Sequence, residues 1–566
     1  MSSARTGCAD RDETRDILHG DTVVTRTHLL VPLALLAALG CDRALGHSCQ
    51  SVVECGVGWD CVQGTCQLPT STDAGLDRIG DGPTDSQGGD CDGGCAPQIC
   101  VVGTANCDTS NLDCESRIAD QPGCFPSYAG TTVLTTGSLS VTAVAIGDDG
   151  AVYLGGGFLG TADFDPGDGV DVRSAAGTPD GFITKLNPDG SRAWTTTFGA
   201  TASVTSIAVS ATSLTVVGGY SGAVDFDSGP GVAARTVGGG FILKLTLDGA
   251  FSWVSTLESG SYCFPHGMSE DDEGNIYVVG EYNGFCDFDP GPGVEQRGPV
   301  INTTYAYVVS ITGQGALRWV HTYEGSACQS ALSGVAVTRD GNAWVAGQTV
   351  GSCFLDGDVA RPLPSSGALL AALDPSGSPS FTWTVGHDST AFSRAVVAGA
   401  DGSVYVAGTI SEAVDFDSGP GVAMGSPAMA SRPAPRSDRT SAGFVLNLTA
   451  GGAFRSVYTM AGIDVTGLST LSDRGLLVMG NPVTSAGSGG GLFLTKLQAD
   501  FTPGWSLYAC GSSCGGLALA AGPSTFLVAG LNGGGAIDID PGPAVDLLPS
   551  GEGFSSGVAF LSRYTF

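Results

Sequence analysis

Seven short apolar phrases recur along the chain, and each ends on glycine: VYLGG at Val152, LTVVG at Leu214, IYVVG at Ile276, AWVAG at Ala343, VYVAG at Val404, LLVMG at Leu476 and FLVAG at Phe526. Their residues are mostly β-branched or aromatic. Asp-Gly turns such as Asp149-Gly150 and Asp401-Gly402 bound them, which is a strand-and-hairpin signal. The mean spacing of about 62 residues marks a repeat whose unit must bury its apolar faces against neighbours.

The remainder of each period is equally regular. A strand such as SVTSIAVS from Ser203 precedes the phrase. A strand such as GFITKLNPDG from Gly181 or GFILKLTLDG from Gly240 follows it. A fourth, tryptophan-bearing strand closes the unit, as in SRAWTTTFG from Ser191 and LRWVHTYEG from Leu317. Nothing between them has a helical period. Four strands per unit, repeated about an axis, predict an all-β chain: a seven-bladed β-propeller of four-stranded blades over residues 128–566. The last unit ends at GVAFLSRYTF, without its fourth strand, whereas TTVLTTGS (Thr131 to Ser138) precedes the first unit as an extra one. Pairing these ends would close the ring and leave no open sheet edge there.

Within most units lies a second repeated phrase: DFDPGDGV from Asp163, DFDSGPGV from Asp225, DFDPGPGV from Asp287, DFDSGPGV from Asp415 and DIDPGPAV from Asp538. The fourth unit carries CFLDGD from Cys353 instead, and the sixth lacks the phrase. Carboxylates at i and i+2 of a strand face one side, and the turn that follows exposes carbonyls. Two readings follow. The aspartates cap a turn beside a packed Phe, or, in the first copy, Asp163, Asp165, Asp168 and Asp171 hold Ca²⁺ through hard oxygen ligands. No copy keeps the D-x-D-x-D-G-x5-E order of a calcium loop, so the turn reading leads and no other cofactor is expected.

The order of these phrases resembles the SBBP-type seven-bladed propeller repeats of bacterial exported proteins, over about 440 residues. The resemblance implies a surface or secreted module and is nearly silent on activity.

Eighteen Cys suit an oxidising compartment. LLVPLALLAAL (Leu29 to Leu39) is too short to span a bilayer and reads as the core of a signal. It ends Ala38-Leu39-Gly40-Cys41, which resembles a lipobox with Cys41 as the lipidated residue; an ordinary signal peptide is the alternative. The acidic stretch before it makes a poor signal start, and a translation start near Val23 or Val24 would remove it. The expected organisation is a leader and signal over 1–41, a Cys-rich module over 42–67, a Pro/Thr/Asp/Gly linker over 68–90, a second Cys-rich segment over 91–127 and the propeller over 128–566. The two clusters read as disulfide knots rather than zinc sites, since neither holds a C-x-x-C pair. Cys263 with Cys286 and Cys328 with Cys353 flank the same two strands of neighbouring units, at separations of 23 and 25 residues. Local pairs Cys263–Cys286, Cys328–Cys353 and Cys510–Cys514 are therefore expected.

The net charge of −32 argues against nucleic acid and anionic membranes as partners. Contact with a membrane is expected only through the lipid anchor, at the bacterial cell envelope, by a monomer. The insertion from Ala423 to Ser441 brings Arg432, Arg436 and Arg439 and reads as a loop excursion. GFSSG (Gly553 to Gly557) and GGGFLG (Gly155 to Gly160) fit catalytic and dinucleotide patterns but lack the helix those sites need. His266, His321 and His387 occupy different repeat positions, so no catalytic set is assigned. The expected function is non-enzymatic binding or scaffolding of a protein or glycan ligand. The alternative is an exported lyase or hydrolase working at the mouth of the propeller channel.

Overall fold

The computed structural model describes residues 60–62, 65–67, 104–106, 116–117 and 126–565. Within the last range it leaves out 134–137, 200, 299–302, 365, 387–389, 427–440, 485–486, 489–490, 510–513, 533–536, 539–546 and 549–557. Contacts divide the chain into two compact units, 1–89 and 90–566. In the first, Asp60–Val62 pairs antiparallel with Thr65–Gln67. The second is an all-β propeller, without helix among the described residues.

The repeated phrases form the strands expected of them. In the second repeat the order is Ala202–Val209, Ser213–Tyr220, Gly239–Thr246, Phe251–Ser259, each antiparallel to the one before. The GFILKL strand lies between the glycine phrase and the tryptophan strand and is buried along most of its length. Ser138–Ile146 packs against Ala202–Val209 on one side and Cys514–Ala521 on the other, so the inner strands run full circle.

The glycine that ends each apolar phrase has a mechanical explanation. Every inner strand carries a one-residue bulge opposite it, as at Val141/Ala143, Val204/Ser206 and Ser393/Ala395. The bulge pushes an inner-strand carbonyl into the space a Cβ would fill: Ser140 against Gly156, Ser203 against Gly218, Phe264 against Gly280, Ala331 against Gly347, Phe392 against Gly408. A bulge beside a close backbone approach admits glycine alone.

Two expectations change in detail. Among the described residues, five sheets contain one set of four repeat strands each. A sixth is seven strands wide, because Leu317–Val337 runs unbroken from the third repeat into the fourth. Seven separate sheets are therefore not found. The fused strand keeps a glycine, Gly325, at an irregularity between Glu324 and Ala327 and pairs with an extended Ala343–Leu355. The closing strand is Ser127–Val133, not Thr131 to Ser138; it pairs with Val558–Thr565 and completes the last sheet. Tyr128 meets Tyr564 edge-on at 5.6 Å and Thr131 Oγ1 lies 2.8 Å from Ser562 Oγ, which fixes the register four residues earlier. Ser138 begins the first inner strand instead. The segment Thr104–Asn106 adds to the edge of the sixth repeat by pairing with Pro503–Ala509.

Cys263–Cys286 and Cys328–Cys353 are disulfides, with Cα separations of 6.0 and 4.9 Å. Cys514 is also disulfide-bonded; its expected partner Cys510 lies outside the described residues, as do Cys41 and the clusters' remaining connectivity. Each described bridge ties an inner strand to the edge of the aspartate loop in the same repeat. Loops of 23 and 25 residues restrict the unfolded chain, a contribution of about 3 kcal/mol apiece in the chain-entropy account. Replacing Cys263 and Cys286 by Ser should lower the denaturant midpoint accordingly, with the slope little changed; an unchanged midpoint would show that the bridge adds nothing to the fold.

Candidate functional site

The five-fold aspartate phrase is the natural place to look first. Asp163 Oδ1 accepts from the backbone N–H of Asp165 at 3.0 Å and of Asp171 at 2.8 Å. The same pair of bonds recurs from Asp225 to Asp227 and Ala233, from Asp287 to Asp289 and Glu295, and from Asp415 to Asp417 and Ala423. The second aspartate then accepts from the following glycine: Asp165 from Gly167, Asp227 from Gly229, Asp289 from Gly291, Asp417 from Gly419. Its other oxygen occupies the space a Cβ would take at Gly169, Gly231, Gly293 and Gly421. The phrase is thus wound around its own carboxylates.

The Phe between them faces inward. Phe164, Phe226, Phe288 and Phe416 are buried, and each lies 4.9–5.0 Å from the aromatic ring of the GFI-type strand: Phe182, Phe241, Tyr307 and Phe444. Phe226 also meets Phe198 of the preceding repeat at 5.8 Å. The loop therefore wedges an aromatic ring between neighbouring repeats.

In this geometry the carboxylates of the calcium reading have other partners or face solvent. Asp163 and Asp165 spend Oδ1 on backbone amides, Asp171 pairs with Arg173 at 2.8 Å and Arg192 at 3.3 Å, and Asp168 is exposed. Among the described residues no group of three or more His, Cys, Asp or Glu is placed to hold a metal ion. The backbone bonds from Asp171 and Asp165 hold the Asp163 carboxyl below the usual carboxylate range, and those from Ala423 and Asp417 do the same for Asp415. A carboxyl depressed in the folded state stabilises above its unfolded pKa, and that contribution is lost as the pH falls through the folded value.

The bulges place a different set of residues on a common level. The extra residue of each inner strand is Thr142, Thr205, His266, Ser333, Arg394, Thr466 and Leu517 in turn. Thr142, Thr205, Thr466 and Leu517 line one axial cavity of about 210 Å³. His266 and Arg394, which share this repeat position, each lie beside a carboxylate: His266 Nε2 is 3.9 Å from Glu281 Oε1, and Arg394 Nε is 3.5 Å from Asp464 Oδ1. Thr409 donates to the same Asp464 oxygen. Burial pushes the His266 imidazole below its ordinary value, partly countered by Glu281 and a hydrogen bond with Leu332. Sequence reasoning compared the histidines only with one another and so missed that Arg394 occupies the position of His266. Counting back fourteen residues from Gly280 and from Gly408 would have aligned them.

At the end of the ring that bears the aspartate loops, a cleft of about 250 Å³ opens between the second and third repeats. Tyr262 and Phe264 stack there at 5.7 Å with ring planes 8° apart. Phe264 lies where a side chain on Gly219 would otherwise stand. Tyr262, 38% exposed, donates through its phenol to Glu281 Oε1 at 3.0 Å. Burial and the neighbouring Glu281 push its pKa far up, so it stays a neutral donor. A second His/carboxylate pair lies apart from this cleft: His321 Nδ1 is 2.8 Å from Asp356 Oδ2, with Arg361 at 3.2 Å. There the degenerate CFLDGD loop of the fourth repeat clamps the third. His387 and GFSSG lie outside the described residues, and all of GGGFLG but its last glycine lies in the strand Val152–Leu159.

No protein-family model matches the chain, and neither does any curated protein. Solved structures similar to it include a mitotic checkpoint complex (10% identity, 80% of this chain and 95% of that one, TM-score 0.40). The polysaccharide lyase Uly1 is similar at 11% identity, over 79% and 94% of the two chains, with TM-score 0.38. The endosialidase of phage phi92 is similar at 11% identity, over 77% and 69%, with TM-score 0.33.

Gly231→Ala would drive a methyl group into the Asp227 carboxylate, and a cost of about 1–3 kcal/mol is expected. Val232→Ala, at an exposed neighbour, should leave denaturant unfolding within about 0.5 kcal/mol. Equal effects would dismiss the self-wound loop. Thermal melts in EDTA and in millimolar calcium should coincide. A calcium-dependent rise lost in the Asp163→Asn, Asp165→Asn double variant would restore the metal reading.

Proposed function

We propose that the chain is an exported, lipid-anchored binding module whose ligand docks at the aspartate-loop end of a seven-bladed propeller of SBBP type. Support for seven blades comes from dividing the wide sheet at its 21-residue strand Leu317–Val337, which yields two more sets of four strands. The recurrence of one bulge and one glycine per repeat, seven times in all, speaks for the same count. The apolar clusters agree: each joins consecutive repeats, and one joins Leu527, Ala529 and Leu561 of the last to Leu139, Val152 and Phe164 of the first. Export and lipidation rest on the signal-like run and Ala38-Leu39-Gly40-Cys41.

The observation that carries the binding reading is Tyr262. This half-exposed aromatic ring is held on one face by stacking on Phe264 and at its phenol by Glu281. A ring preset in this way loses little entropy when a ligand covers it. The second reading, an exported lyase or hydrolase, is favoured by one observation: His266 with Glu281, and Arg394 with Asp464, stand at matching levels of the inner strands. A partly buried imidazole beside a carboxylate is the kind of group that transfers protons.

Cys41→Ala should move the protein from the membrane pellet to the soluble fraction and abolish incorporation of labelled palmitate. Unchanged fractionation would reject the anchor. Incubation of the full-length protein with a panel of neutral and acidic polysaccharides should release neither new reducing ends nor unsaturated products. Turnover lost on His266→Ala would replace the binding reading by the enzymatic one.

A further inference from the structure

We infer that the cleft between the second and third repeats takes a neutral pyranose ring of a glycan, stacked on Tyr262; this rests on the binding reading above and names its ligand class. Three features converge. The first is the platform itself. The Tyr262–Phe264 pair presents one outer aromatic face, and the apolar C–H face of a pyranose lies flat on such a surface. Gly219 makes this possible, since any side chain there would displace Phe264.

The second is the chemistry of the walls. Thr201, Ser203, Ser221 and Ser261 border the cleft, and no charged residue lines it. Hydroxyls that both donate and accept match the hydroxyls of a neutral sugar. A uronate or sulfated sugar would find no cation there, and would approach a chain of net charge −32. Glu281 stands behind the phenol and orients the ring of Tyr262.

The third is size. At about 250 Å³ the cleft falls below the roughly 300–1,000 Å³ that drug-sized ligands fill, so it suits one ring with the rest of the chain outside. The axial cavity is lined by a separate set of residues.

The test uses the full-length protein and calorimetric titration with maltohexaose, cellohexaose and chitohexaose, with tetragalacturonate as the anionic control. At least one neutral oligosaccharide should bind and tetragalacturonate should not. Tyr262→Ala should weaken that binding about ten- to a hundredfold, the loss expected for uncovering one aromatic face. Tyr262→Phe should retain most of it, because the platform remains. Near-ultraviolet circular dichroism of each variant confirms that the fold is kept. Binding by none of the three neutral sugars, or equal binding by Tyr262→Ala, overturns the inference. If none binds while the wild-type protein still captures a ligand elsewhere, the binding reading survives without this site. If a neutral sugar is bound and cleaved, the site stands and the non-enzymatic reading fails.

Discussion

Everything in this propeller depends on apolar packing between consecutive repeats. A four-stranded sheet has two faces, and both are apolar here. Val216, Phe241 and Leu243 of the second repeat pack with Tyr153, Ile183 and Phe198 of the first, whereas Val217 and Ile242 face Val278 and Tyr307 of the third. No repeat can satisfy both faces alone, so the array is stable only if it continues or closes. Closure through Ser127–Val133 on Val558–Thr565 covers the last sheet edge with the first strand of the same chain. The aspartate phrase serves this packing. Its carboxylates fix the loop, and the loop delivers Phe164, Phe226, Phe288 or Phe416 into the seam.

Much of this was legible in the sequence, because the repeated features are those with strict steric causes. The glycine after each apolar phrase survives every repeat since an inner-strand carbonyl occupies its Cβ space, at Gly156 as at Gly408. The disulfide pairs Cys263–Cys286 and Cys328–Cys353 were readable from their matched repeat positions. The fusion of the third and fourth repeats was not, because EGSACQS carries a glycine, Gly325, as the other links do, and reads equally well as a loop. Nor was the start of the closing strand, where Tyr128 and Thr131 set the register through partners some 430 residues away.

The candidate sites were less legible, for a related reason. Repetition reports what every unit needs, whereas a ligand site needs what only one or two units have. Tyr262, His266 and Arg394 are departures from the repeat, in places where most other units carry Ser or Thr, whereas Phe264 shares its place with Phe392. Read singly they look like noise. Placed on the bulged inner strands, they collect at one end of the ring and along its axis. The aspartates, by contrast, recur with the same backbone hydrogen bonds in four copies, and their recurrence made them the more conspicuous candidates.

The central claim is that the chain closes on itself, last repeat to first. Amide hydrogen exchange followed by mass spectrometry tests it most directly, by comparing peptides over Ser127–Val133 with peptides over interior strands such as Gly239–Thr246. Closure predicts slow exchange in Ser127–Val133 and in Val558–Thr565, lost together when the propeller unfolds. Rapid exchange of Ser127–Val133 in a protein whose interior strands stay protected would contradict it.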